Sequence, residues 1–324
     1  MRLVAEARMD PIRIGTRGSK LALVQARQVQ AALTPALGAE PGEAERVAPI
    51  VVITTTGDRV QDRRLTPLGG KAMFTKEIEE ALAARRIDCA VHSLKDVGIA
   101  RQPGLVLAAT PAREDARDAF ISPRHATLGE LPRGARLGTG ASLRRSAQAL
   151  HRRPDLEIIL VRGNVDTRLA KLDAGEADAT VLALAGLKRL GLQARIREVL
   201  DPLEFPPAPG QGAIVIETRT GDAAANWVRA LDDRDTAVCV AAERGALEAL
   251  EGSCHTAIGA HARLDGDQMS LVVEALTPDG AERFRRMASV RVAGDAAAAA
   301  RELGLELGGE ICAEGGERLF APEA

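Results

Sequence analysis

A chain of 324 residues is too long for one ordinary hydrophobic core, so two or three domains are expected. Its 46% hydrophobic and 27% charged content describes a soluble globular protein, and a formal net charge of −2 gives no general attraction to polyanions. Aromatic residues make up only 2% and tyrosine is absent, which disfavours a surface that stacks on nucleic-acid bases.

The first ten residues carry Arg2, Glu6, Arg8 and Asp10 and no apolar run, so no secretory leader is expected. No stretch approaches the roughly 18 apolar residues of a membrane helix. Residues 12–14 then read as a strand, followed by a Gly/Ser turn and a helix from about Leu21 to Leu33. Val51–Thr55 is a second strand, and Thr75–Arg86 a helix with Ile78, Ala81, Leu82 and Arg85 at helical spacing. Cys89–His92 and Val106–Ala109 follow as strands. After Pro111 the pattern restarts: helix at Leu143–Leu150, strand at Glu157–Val161, helix at Val165–Ala174, strand at Thr180–Ala185. This alternation predicts α/β layers. Residues 87–91 and 177–181 echo each other, each running from a helix end through an Asp into an apolar strand. Four prolines and two glycines within Pro202–Gly212 mark a crossing between domains. Beyond about Asp232 an Ala-rich helix, a Gly/Ser loop, strands at Met269–Ala275 and Ala288–Val292 and a helix at Ala296–Glu310 predict a separate α+β domain.

Four places put cations at a helix start. Ser19, after Arg17, and Ser142, before Arg144 and Arg145, are natural N-caps. Arg162-Gly163-Asn164 precedes a helix with Arg168 one turn in, and Gly69-Gly70-Lys71 precedes the helix near Thr75. The macrodipole disfavours positive charge there, unless an anion sits in front and is held by free N–H groups and guanidinium together. Any one of them could be a solvated surface cation; four with the same bias point to a polycarboxylate or phosphate ligand. His92-Ser93-Leu94-Lys95-Asp96 closes a buried strand, which places Asp96 where a carboxylate could do acid/base work or simply make a turn beside Lys95. Cys254 lies in a Gly/Ser loop and reads either as a nucleophile or attachment site or as an incidental thiol. The four cysteines are widely spaced, which fits a reducing, cytoplasmic compartment and no disulfide framework. Cys89 and His92 alone do not make a metal site, and none is expected.

Thr16–Ala22, Gly69–Glu77, His92–Val97, Ser142–Arg145, Leu160–Val165, Ala185–Gly191 and Pro209–Gly212, in that order, resemble the signature blocks of the hydroxymethylbilane synthase (porphobilinogen deaminase) family. The resemblance implies two type II periplasmic-binding-protein-like α/β domains plus a smaller C-terminal α+β domain. Their expected bounds are 1–110 with 211–230, then 111–210, then 231–324. It implies a transferase that joins four porphobilinogen molecules, with release of ammonia, on a dipyrromethane cofactor bound by a thioether to Cys254. Asp96 matches the catalytic aspartate. Arg17, Ser19, Lys71, Phe74, Ser93, Lys95, Thr139, Ser142, Arg144, Arg145, Arg162, Arg168, Arg189 and Gln211 match cofactor- or substrate-binding positions. The implied protein is a monomer with no nucleic-acid or membrane partner. The chain departs from the family pattern at Ala72, Pro67, Gly98 and His255, and its Gly138–Arg145 block is one residue longer, leaving open which of Thr139 and Ser142 meets the cofactor. The alternative is a two-lobed anion-binding protein without catalysis, which would have no need of Asp96 or a loop cysteine.

Overall fold

The computed structural model describes residues 10–59, 75–140, 142–250 and 256–320. The first sheet contains β1 (Ile14–Thr16), β2 (Ile50–Val52), β3 (Cys89–Ser93), β4 (Leu105–Ala109) and, from much later in the chain, β10 (Ile214–Arg219), in the order β2-β1-β3-β10-β4. The second contains β5 (Asp118–Ile121), β6 (Arg136–Thr139), β7 (Glu157–Leu160), β8 (Ala179–Ala183) and β9 (Glu198–Val199), in the order β7-β6-β8-β5-β9. In each five-stranded sheet four strands run in one direction, and one, β10 or β5, which arrives from a chain crossing, runs antiparallel to both its neighbours. The two halves are thus built on one plan.

The sequence echo has a physical basis in this plan. Asp88 accepts from the backbone N–H and the Nε of Arg13 at 2.9 and 2.8 Å. Asp178 accepts in the same way from Arg136, at 2.9 and 3.4 Å. In both halves the Asp that enters the central strand fastens the Arg that enters its parallel neighbour.

Helices cover these sheets and begin where the caps stand. α1 (Lys20–Ala36) starts at Ser19, whose hydroxyl accepts from the Ala22 N–H. α2 spans Lys76–Ala83 and buries Ile78, Ala81 and Leu82. α3 (Leu143–Arg152) is capped by Ser142 and α4 (Val165–Asp173) by Asn164. α5 (Leu184–Arg189) follows β8 without a loop. The predicted strand through Ala185 therefore ends two residues early, because the buried Leu184, Ala185 and Leu187 turn into a helix instead.

The C-terminal unit is an antiparallel meander of β11 (Ala257–Asp265), β12 (Gln268–Leu276) and β13 (Arg283–Arg291). It is packed by α6 (Arg234–Ala249) and α7 (Ala296–Gly315) around a core that includes Val238, Leu250, Ile258, Met269, Val273, Leu303 and Ile311. The architecture is α/β in its first two units and α+β in its third.

The chain crosses between the sheets twice, and the crossings lie against each other. Gly212, at φ +86°, comes so close to the other crossing that a Cβ there would meet the Glu114 carbonyl at 2.2 Å. The buried Glu243 of α6 binds both. Its carboxylate accepts from Arg113 at 2.7 and 2.9 Å, from the Gly210 N–H at 2.7 Å and from the Ala262 N–H at 2.9 Å. Every lone-pair direction of a buried charge is thereby used, which is the condition for tolerating it.

Candidate active site

The site forms where the carboxyl ends of β1, β3 and β6 meet the second crossing. β3 ends at Ser93, and Leu94–Asp96 form one 3₁₀ turn because Leu94 is buried and its N–H donates to the Ala213 carbonyl at 3.0 Å. That turn leaves Asp96 exposed at the rim and Lys95 half-buried. Asp96 lines a cleft together with Arg17, Ser19, Gln25, His92 and Ser93. Within it the Gln25 amide donates to the Ser93 hydroxyl at 2.8 Å.

Lys95 points to a second, buried group. Its Nζ donates to Gln211 Oε1 at 3.2 Å, and the same oxygen accepts from Arg145 at 3.3 Å. Gln211 is wholly buried and donates from Nε2 to the Ala116 carbonyl and to Asp118. Asp118 is the anionic centre of this group: Arg145 donates to its Oδ1 at 3.1 and 2.9 Å, and Arg144 Nη2 lies 2.8 Å from its Oδ2. Arg144 also reaches Gln148 and the Pro206 carbonyl. Arg144 and Arg145 thus stand at a helix N-terminus, but both are buried against Asp118 and are not solvated surface cations.

Among the described residues of this group, Lys95, Arg144, Arg145, Arg162 and Arg168 stand against two carboxylates, Asp96 and Asp118. Burial, followed by repulsion from Arg145, pulls the Lys95 ammonium down to about 8, although Asp96 and Asp118 oppose this. Burial and then Arg145 and Arg162 likewise hold Arg168 down to about 10, with Asp96 opposing. Asp118 shows the converse: burial pushes it up, but Arg144, Arg145 and Lys95 hold it well below the ordinary carboxylate range. A cluster in which cations are held below their usual pKa favours a bound anion.

The remaining expected residues fall around this centre. Thr139 is buried with its hydroxyl 2.9 Å from that of Ser146, whereas the Ser142 hydroxyl accepts from the Arg145 N–H. Arg162 is half-buried after β7, and Arg168 in α4 donates from Nε to the Gly163 carbonyl. The Arg168 guanidinium lies against the Gly140 backbone, where a Cβ would meet it at 2.4 Å and oblige the side chain to shift. Arg189, at the end of α5, reaches Gln28 of α1 at 3.2 Å and the Gly212 carbonyl at 2.9 Å, so it spans both halves. Lys71, Phe74 and Cys254 lie outside the described residues. Of the other cysteines, burial pushes the Cys89 thiol up to about 12 and the Cys239 thiol up to about 11, so neither is poised as a nucleophile.

Three groups were not picked out from the sequence. Asp118, Gln25 and the buried pair of His92 Nε2 with Glu217 at 3.0 Å support or line the site. His92 opens the His92–Val97 block and Asp118 stands in the charged run Arg113–Asp118, but nothing local says which partner either one meets. Among the described residues no group of three or more His, Cys, Asp or Glu side chains could hold a metal ion. No helix among them is long and apolar enough to cross a membrane.

Residues 12–226 match the family model "Porphobilinogen deaminase, dipyromethane cofactor binding domain", and residues 237–313 match "Porphobilinogen deaminase, C-terminal domain". A protein of Caulobacter vibrioides named porphobilinogen deaminase is 62% identical over 322 residues, covering 98% of this chain and 100% of that protein. Proteins of the same name from Phenylobacterium zucineum and Nitrobacter hamburgensis are 58% and 51% identical, each over 95% of this chain and over 98% and 94% of their own lengths. Among solved structures, a putative methionine-binding lipoprotein from Bacillus subtilis aligns at a TM-score of 0.43 and 13% identity, over 70% of this chain and 92% of its own. With both family models matched and relatives this similar along nearly its whole length, the chain belongs to the porphobilinogen deaminase family.

Proposed function

We propose that the chain assembles porphobilinogen into the linear tetrapyrrole hydroxymethylbilane, on a dipyrromethane held by a thioether to Cys254, with Asp96 as its catalytic carboxylate. The observation that carries this reading is the group of half-buried cations that the described residues place beside Asp96. Lys95 and Arg168 are both pulled down in pKa by burial and by Arg145, and Arg17 lines the same cleft as Asp96. Each porphobilinogen brings two carboxylates, so a growing chain needs fixed, permanently charged counterions, and guanidinium groups supply them.

The donor set fits a dipyrromethane, whose four carboxylates would be held by Arg17, Ser19, Lys95, Arg144, Arg145, Arg162, Arg168 and Arg189, with Ser93, Thr139, Ser142 and Gln211 completing the hydrogen bonds and Lys71 and Phe74 contributing from outside the described residues. The bound group supplies the pyrrole carbon onto which the first substrate is joined. Asp96 protonates the departing amine of porphobilinogen, stabilises the cation left when ammonia has gone, and takes the proton released on coupling. Its exposed place at the rim, next to Lys95 and within reach of the Arg168 field, supports this role.

The three domains are read as 1–110 with 211–230, 111–210 and 231–324, and the insertion of β10 between β3 and β4 supports the discontinuous first domain. The chain is read as a monomer, and the free thiols of Cys89, Cys239 and Cys312 support a reducing, cytoplasmic setting. Incubation with porphobilinogen tests the reading: substrate should disappear with release of ammonia. A non-catalytic anion-binding protein would bind porphobilinogen and consume none.

A further inference from the structure

The loop that follows Asp96 is held from two sides. From the third unit, Arg244 of α6 donates to the Val97 carbonyl at 3.2 Å and to the Gly98 carbonyl at 2.9 Å. Val97 packs in one apolar cluster with Val240, one turn earlier on the same helix, and Ile99 packs against the core of the third unit. From below, Arg101 closes the loop onto the first sheet and its helix by binding Glu217 of β10 and Glu79 of α2. Glu217 is wholly buried and also holds His92, which lines the Asp96 cleft.

We infer that Arg244 is a positioning residue for the reaction: it fastens the Asp96 loop to the helix whose C-terminal end leads into the Cys254 segment. The inference rests on the proposed roles of Asp96 and Cys254. On that reading the proton-transfer group belongs to the first unit and the growing chain is anchored in the third, so their separation depends on contacts between units. Among the described residues, α6 makes the contacts to the Asp96 loop that are hydrogen-bonded from the third unit. Two bonds from one planar guanidinium to successive carbonyls fix both the position and the tilt of the loop, which a single-donor side chain cannot do. Gly98 adds to the need, since a glycine leaves the loop backbone free to take other conformations unless something outside it holds it.

Arg244→Gln and Arg244→Lys test this in the cofactor-loaded protein, with loading measured by intact mass and rates expressed per loaded molecule. Arg244→Gln should lower kcat by about tenfold to a hundredfold, the scale of a small misplacement of a catalytic group. KM should barely change, because the anion-binding cations are untouched. Amide exchange should speed up in residues 94–101 and not in the sheets. Arg244→Lys should recover part of kcat, and Ile99→Ala, which loosens the same loop from its apolar side, should repeat the kcat loss. An unchanged kcat in Arg244→Gln, or a loss matched by faster exchange throughout the protein, would overturn the inference. Asp96→Asn serves as the reference: if it turned over normally the proposed function of Asp96 would fail, whereas an inactive Asp96→Asn beside a fully active Arg244→Gln would remove only the role of Arg244.

Discussion

Asp118 shows how much one side chain can decide. It is 1% exposed and shared among Arg144, Arg145 and Gln211, so it determines which way two arginines point at the start of α3. Asp118→Asn leaves two buried guanidinium groups facing an amide. The cost should be roughly 3–5 kcal/mol, as for other buried pairs broken from one side, and a denaturant titration measures it. Asp96 lies exposed at the rim and should behave differently. Asp96→Asn should keep its fold and still bind substrate while turnover falls by about 10²–10⁴, the usual contribution of general acid–base catalysis. Near-normal turnover would take Asp96 out of the mechanism.

Lys95 adds a pH signature. Its ammonium loses its proton as pH rises through about 8, so its contribution to anion binding is full below that pH and fades above it. KM for porphobilinogen should therefore rise on the alkaline side, and Lys95→Arg should move that rise to higher pH. The effect on stability has the opposite sign. The unfolded chain holds this proton up to about 10.5, so the desolvated cation costs stability below pH 8, and the cost is relieved as pH climbs between the two values.

Among the elements, α6 and α7 pack so closely that glycine is required at the contact. A Cβ on Gly304 would meet the Ala242 carbonyl at 2.0 Å and the Ala246 N–H nitrogen at 2.8 Å, and one on Gly245 would meet the Arg301 carbonyl at 2.3 Å. Gly304→Ala should push the helices apart at a cost of about 1–3 kcal/mol, as overpacking does. Thermal unfolding of the variant checks this; unchanged stability would mean that the helices separate freely. The helix starts were legible in the sequence because a cap is a local device: Ser19, Ser142 and Asn164 each accept from an N–H three residues on. β5, β6 and β10 were not legible as strands. They are short or buried on both faces, so they show no alternation to read.

For the whole molecule, what the sequence conveyed was the list of cationic helix starts and the α/β character of the first two units. What it could not convey was partnership. That Arg144 faces Asp118, that Glu243 ties both crossings to α6, and that Lys20 of α1 meets Asp166 of α4 at 2.9 Å all depend on residues more than 20 positions apart being folded together. These long-range contacts gather separate surface-like motifs around one site, where among the described residues Lys95, Arg144, Arg145 and Arg168 outnumber the carboxylates Asp96 and Asp118. The measurement that tests this account most directly is the intact mass of the denatured protein, followed by peptide mapping. The account predicts an excess equal to two linked pyrrole units, located on the peptide that contains Cys254. A bare-chain mass that stays bare after incubation with porphobilinogen, or an excess located on any other peptide, would contradict it.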